Sequence, residues 1–239
     1  MGDDPEVTPG GSRIERHDEA MPPEMVPTGW DGQELIEEHV AQHLGPIETV
    51  FHELVSEYVH LDVLIVEATE ERPFHWLVTS GMSSRPMPAD DDEPDRIELL
   101  IALPADWPLD RESWEDERHY WPVRMLKTLA RMPHEYGFAL GPWHTVPNGD
   151  PAEPYGTGTD LCCAMIVPPR HTTEEFDTLQ TPDGPVEFLA IWLLYRDEMD
   201  AKLERGAGEL TKALFEADVS EIVQPDRASV IKKKRFGLF

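Results

Sequence analysis

Val59-His60-Leu61-Asp62-Val63-Leu64-Ile65-Val66-Glu67-Ala68 is the stretch on which the fold turns. It is rich in β-branched residues and alternates in part between apolar and polar, so it reads as a strand. Residues 49–54 before it, and 74–80 and 97–103 after it, read the same way, and the four together make an antiparallel meander. Pro86, Pro88 and the acidic run 90–94 mark a polar loop between the last two.

Further outward the period changes. Residues 33–44 carry Leu35, Ile36, Val40 and Leu44 at helical spacing, and Gly45-Pro46 stops the helix. Residues 121–132 place Val123, Leu126, Leu129 and Ala130 on one side, with Arg124, Lys127 and Arg131 interspersed. Pro122 suits the first turn of that helix. A turn-rich segment, 133–158, leads to two more strand-length apolar runs, 161–167 and 186–195, expected near the centre of the sheet, and 198–203 and 209–215 read as closing helices. Strands grouped in this way, without strict alternation with helices, predict an α+β layer structure and disfavour a Rossmann-like sheet. The chain has 239 residues, 40% of them hydrophobic and seven of them Trp, enough for one sizeable core. The expected organisation is a disordered, acidic, Pro/Gly-rich arm over 1–30, one domain over 31–230, and a basic tail over 231–239 holding Lys232, Lys233, Lys234 and Arg235.

Acidic residues outnumber basic ones 48 to 20, giving a formal net charge of -28. Such a field repels phosphate backbones and anionic headgroups, which argues against nucleic acid and membrane partners, and it accelerates encounter with a cationic protein. Residues 1–10 show no basic-then-apolar signal pattern, no uncharged apolar run is long enough to span a bilayer, and Glu6 stands where a myristoylation signal wants Ser or Thr, so a cytoplasmic protein is expected. Cys162 and Cys163, adjacent in an apolar run, are expected to be unpaired core residues with silenced thiols.

Catalytic and metal signatures are weak. His39 and His43 stand four apart on the first helix, but Val40 follows His39 where a zinc peptidase needs Glu, and spacing supplies no third ligand. Ser80 lacks the nucleophile-elbow pattern, and Gly156-Thr157-Gly158 opens no helix that could cradle a phosphate. No catalytic residue, metal or cofactor is therefore assigned. Residues 132–146 concentrate aromatic and His side chains, the composition of a binding hot spot, and Tyr136, Phe138, Trp143 and His144 are the candidate partner contacts within it. Asp90, Asp91 and Asp92 in the acidic loop are the candidate contacts to a basic partner.

Several segments in one order carry a family resemblance. They are His60 to Val66; Glu70, Glu71, Arg72, Pro73 and Phe74; Leu77, Val78, Thr79, Ser80, Gly81 and Met82; and Arg85, Pro86 and Met87. They continue through Glu98, Leu99, Leu103, Pro104 and Trp107, the helix 121–130, Pro133 to Gly137, and Asn148 to Pro168, and close with Phe188, Leu189, Leu194, Tyr195, Glu198 and Met199. Over residues 33–230 the chain resembles the bacterial form of the Suppressor of fused (SUFU) domain. The resemblance implies a single α+β domain, a mixed and mostly antiparallel sheet packed with helices, and no established catalytic activity. Animal members restrain zinc-finger transcription factors through a cleft between this domain and a second one, which this chain is expected to lack. They carry Gly-Asp-His after the main helix, with the Asp reaching the partner; here the chain reads Gly141-Pro142-Trp143-His144, and that acidic anchor is missing. Bacterial members resemble immunity proteins of polymorphic toxin systems. The resemblance and the charge together point to a protein that neutralises a basic toxin such as a nuclease. A regulatory scaffold is the alternative, and a His- or carboxylate-dependent hydrolase a third.

Overall fold

The computed structural model describes residues 6–17, 19–23, 30, 32–53, 58–90 and 93–231. In chain order its elements are β1 (Glu6–Val7), β2 (Arg13–Ile14), α1 (Gly32–His43), β3 (Thr49–Phe51), β4 (Asp62–Val66), β5 (Phe74–Ser80), β6 (Ile97–Pro104), α2 (Glu117–Tyr136), β7 (Thr145–Pro147), β8 (Cys163–Val167), β9 (Thr178–Thr181), β10 (Gly184–Leu194), α3 (Arg196–Arg205) and α4 (Ala207–Glu216). Single 3-10 turns sit at Met82–Ser84 and Ser113–Glu115. The fold is α+β in one domain, as expected.

Every residue of β4 and β5 is buried, which explains why the sequence of β4 alternates only in part. A strand covered on both faces needs apolar side chains on both. The main sheet runs β3-β4-β5-β6-β10-β8-β7, with β9 also paired to β10. The meander from β3 to β6 is antiparallel, as are the pairings of β8 with β10 and β7. The parallel pair is β6 with β10, which places Phe188 opposite Glu98. One face packs Leu77, Leu99, Ile101 and Ile191 against Trp121, Met125, Leu126 and Leu129 of α2. The other packs Leu64, Trp76, Leu100 and Phe188 against Ile36 and Val40 of α1, Met199 of α3, and Leu210 and Leu214 of α4. Each such aliphatic or aromatic side chain contributes about 1.5–3 kcal/mol when fully buried.

The elements depart from the sequence expectation at their ends. β3 stops at Phe51 because the Glu53 N–H turns away to the Asp62 carboxylate, 3.2 Å distant; residues 54–57 lie outside the described residues. The main helix begins at Glu117, not at Trp121, since the Asp116 carboxylate accepts the Arg118 N–H and caps it. It continues to Tyr136 and ends on Gly137 at φ 69. Pro122 consequently lies beyond the first turn and Pro133 inside the last, each leaving a helix carbonyl without its usual donor.

A buried carboxylate ties the meander together. Glu98 of β6 accepts Thr79 Oγ1–H (2.5 Å), Ser83 Oγ–H (2.6 Å), the Gly81 N–H (2.9 Å) and the Ser83 N–H (3.0 Å). Gly81 has φ 119, and a Cβ there would lie 2.0 Å from the His60 carbonyl, so only glycine fits this turn.

Candidate protein-docking surface

The segment that leaves α2 turns twice. Gly137 takes φ 69, and Trp143 takes the same φ despite its bulk, held by its N–H on the Ile166 carbonyl at 2.7 Å. A non-glycine residue at positive φ is strained by about 1–3 kcal/mol. The strained turn swings the indole outward, where Trp143 remains 43% exposed. It faces α4, whose Leu210 and Leu214 point into the core. Phe215, one position beyond that stripe, is 56% exposed. Trp143, Ala207, Gly208, Thr211, Lys212, Phe215 and Glu216 line a groove of about 600 Å³. Two large exposed aromatic side chains on one open groove make it the candidate docking surface. The Arg170 guanidinium lies 4.2 Å above the Phe215 ring and 3.0 Å from Asp218, which leaves the groove rimmed by charge.

The contiguous aromatic stretch read from sequence is thereby divided. Trp143 belongs to the groove. Tyr136 and Phe138 lie at the end of α2, where the His17 ring stacks on Phe138 at 4.4 Å and sits 6.2 Å from Tyr136. The negative charge of neighbouring Glu135 raises the Tyr136 phenol above its ordinary pKa. His144 is half-buried, and its Nδ1 accepts the Gly141 N–H at 3.2 Å, so its ring braces the turn. Asp90 is exposed on the loop that leads into β6, three strand positions from β7, and takes no part in the groove. Asp91 and Asp92 lie outside the described residues. Phe215 went unread in the sequence; its signal is an aromatic residue displaced one position, about 100° of helix, from an apolar pair four apart.

The His pair, the two cysteines and Lys127 each pack against or pair with a named neighbour, whereas the buried Ser80 hydroxyl makes no hydrogen bond. His39 Nε2 lies 2.9 Å from the Phe176 carbonyl, its ring stacks on Phe176 and Phe188, and burial lowers its pKa. The His43 ring is 4.5 Å from it. Among the described residues no group of three or more His, Cys, Asp or Glu side chains is placed to hold a metal ion. Cys162 and Cys163 are buried with their sulfurs 3.7 Å apart, and burial pushes both thiols above their usual pKa. Lys127, also lowered by burial, pairs with Glu53 at 3.5 Å beside the Arg131–Glu53 contact of 2.6 Å. No helix among the described residues is long and apolar enough to cross a membrane.

The chain is similar to solved structures at low identity. A Suppressor of fused homologue from Neisseria gonorrhoeae FA 1090 superposes with a TM-score of 0.64 at 18% identity, over 86% of this chain and 100% of that one. The Sufu–Fu complex gives a TM-score of 0.59 at 15% identity, over 87% of this chain and 93% of the other. Drosophila Suppressor of fused gives 0.58 at 15% identity over 82% of this chain, which spans 50% of the Drosophila protein. No curated protein sequence matches closely enough to count as a relative. The family model for the Suppressor of fused protein (SUFU) matches residues 57–228, a span that holds β4 to β10 and α2 to α4, and the chain belongs to that family.

Proposed function

We propose that this chain is a non-catalytic protein-binding module that grips a cationic partner, and that it acts in the cytoplasm as an immunity protein neutralising a basic toxin such as a nuclease. The observation that carries the reading is the exposed groove between Trp143 and Phe215 on a body of net charge -28. Aromatic walls supply desolvated area, while the acidic field supplies encounter rate and selects against anionic partners. A nuclease must present positive charge where it holds phosphate, and an anionic protein can occupy that site. A relative has been solved in complex with a protein partner, Fu, which favours a regulatory scaffold as the second reading.

The test is co-expression with any toxin found encoded beside the gene. Rescue of growth, with an association rate that falls steeply between low and physiological salt and a dissociation rate that hardly moves, is the expected result. Trp143→Ala with Phe215→Ala is expected to weaken the complex by 10-fold or more. Binding to a non-toxic protein with the same sensitivity to those two substitutions would establish the scaffold reading. A complex indifferent to both substitutions would remove the groove from the interface.

A further inference from the structure

The described part of the N-terminal stretch is laid against the body at two places. β1 and β2 form a hairpin, and at its turn the Gly10 N–H donates to the Leu203 carbonyl at 2.8 Å, at the end of α3. Gly10 is pressed so close that a Cβ would sit 2.3 Å from the Gly206 nitrogen and 2.6 Å from the Lys202 carbonyl. Farther along, the His17 ring lies nearly parallel to Phe138, 17° between planes. The Met21 N–H donates to the Glu135 carbonyl at 2.6 Å, and the Met21 carbonyl accepts Tyr58 Oη–H at 3.1 Å. The Met21 sulfur lies 3.5 Å from where a Cβ on Gly137 would be, so that glycine makes the shelf on which the thioether rests.

This is the pattern of peptide recognition: a ring stacked on a ring, a flexible apolar side chain on a glycine shelf four positions later, and backbone groups of the segment paired to the receiving surface. The receiving surface is built by Glu135, Tyr136, Gly137, Phe138 and Tyr58, none of which lies in a strand of the sheet. It includes two of the aromatic side chains read from sequence as partner contacts. The end of α2 also carries the partial negative charge of its last carbonyls, which favours a cationic ring or a neighbouring cation on the incoming segment.

We infer that the C-terminal end of α2 is a second docking surface, for an extended partner segment with a planar ring followed four residues on by Met or Leu, and that His17 and Met21 occupy it in cis as a built-in competitor. The inference rests on the protein-binding reading above and adds regulation to it. A tethered segment meets its site at an effective concentration in the millimolar range, so even weak intrinsic affinity keeps it seated. If the surface is free about one-tenth of the time, a partner's apparent affinity is cut about 10-fold, and whatever displaces the strap restores it.

The experiment needs no natural partner. A fluorescent synthetic peptide with the sequence of residues 12–23 is titrated into the full chain and into a full-length Gly10→Val/His17→Ala variant. The first substitution pushes the hairpin off α3, the second removes the stacked ring, and neither alters the receiving surface. The peptide should bind the double variant about 10-fold more tightly than the wild-type chain, and adding Phe138→Ala should abolish that binding. Exchange of the Met21 amide should be slow in the wild type and fast in the double variant. Equal affinity for the two chains, no binding to either at millimolar peptide, or indifference to Phe138→Ala would overturn the inference. Because the peptide bypasses Trp143 and Phe215, these outcomes are independent of whether the groove binds a toxin.

Discussion

Glu198 and Arg227 form a buried bidentate pair, with both guanidinium Nη atoms on the two carboxylate oxygens at 2.7 and 2.5 Å and both side chains almost closed to solvent. Glu198 also accepts the Tyr195 N–H at 2.9 Å, completing the cap of α3, and the Val230 N–H at 2.9 Å. Arg227 Nη2 adds a bond to the Leu193 carbonyl at 2.8 Å. One ion pair thus fastens the segment that follows α4 to both the central strand β10 and helix α3.

Breaking a buried pair by removing one partner leaves an uncompensated charge and costs about 3–5 kcal/mol. Arg227→Ala is therefore expected to lower unfolding free energy by about 3 kcal/mol in urea titration. Amide exchange should rise first over residues 224–231, ahead of global unfolding. A loss below about 0.5 kcal/mol, the range of ordinary surface substitutions, would show that the pair is dispensable.

His134 in the last turn of α2 gives a pH dependence of known sign. Its Nε2 is 2.8 Å from the Met82 carbonyl, so the neutral ring donates there. Burial, reinforced by the positive charges of Arg85 and Arg96, lowers its pKa from 6.5 to about 4. A folded-state pKa below the unfolded value means that the unfolded chain takes up the proton first. The contribution of this group is complete above about pH 6.5 and is lost as pH falls toward 4, at up to about 1.4 kcal/mol per pH unit. Protonation of surface carboxylates relieves repulsion over part of the same range, so the comparison is with His134→Gln, which can donate to Met82 without titrating. The stability difference between wild type and variant should shrink or reverse from pH 7 to pH 4.5; a constant difference would rule the titration out.

The sequence displays most clearly what is buried on two faces. β4 and β5 are legible because every residue in them is enclosed, and the apolar run in β10 for the same reason. β9 is not legible because Thr178–Thr181 is mostly polar and alternates exposed with only partly buried positions, and it is a strand only because the long β10 offers it a partner. The start of α2 was missed because Asp116 caps it from within a run of carboxylates that gives no contrast. At the candidate site, Tyr136, Phe138, Trp143 and His144 look like one cluster because they are close in sequence. The positive-φ turns at Gly137 and Trp143 separate them in space, and no pattern of residue types announces a tryptophan in that conformation. Phe215 joins Trp143 across 72 positions, a pairing that only the packing of α4 creates.

The strain at Trp143 separates binding from stability. A residue kept at φ 69 against its preference persists only if the rest of the turn compels it. Glycine adopts that backbone without steric strain, for an entropic cost of about 0.5–1 kcal/mol that is smaller than the strain relieved, and the Trp143 ring is too exposed to contribute much to the core. Trp143→Gly is therefore expected to leave the melting temperature unchanged or raise it, by up to about 1 kcal/mol in unfolding free energy. The same substitution removes one wall of the groove and should weaken partner binding 10-fold or more. Trp143→Phe supplies the control: it keeps both an aromatic wall and the strain, and should retain most of the affinity with no gain in stability. If Trp143→Gly were instead destabilising by 2 kcal/mol or more, in urea titration with unchanged m-value, the indole would be a structural brace of the β7 edge and the strained turn would need another explanation.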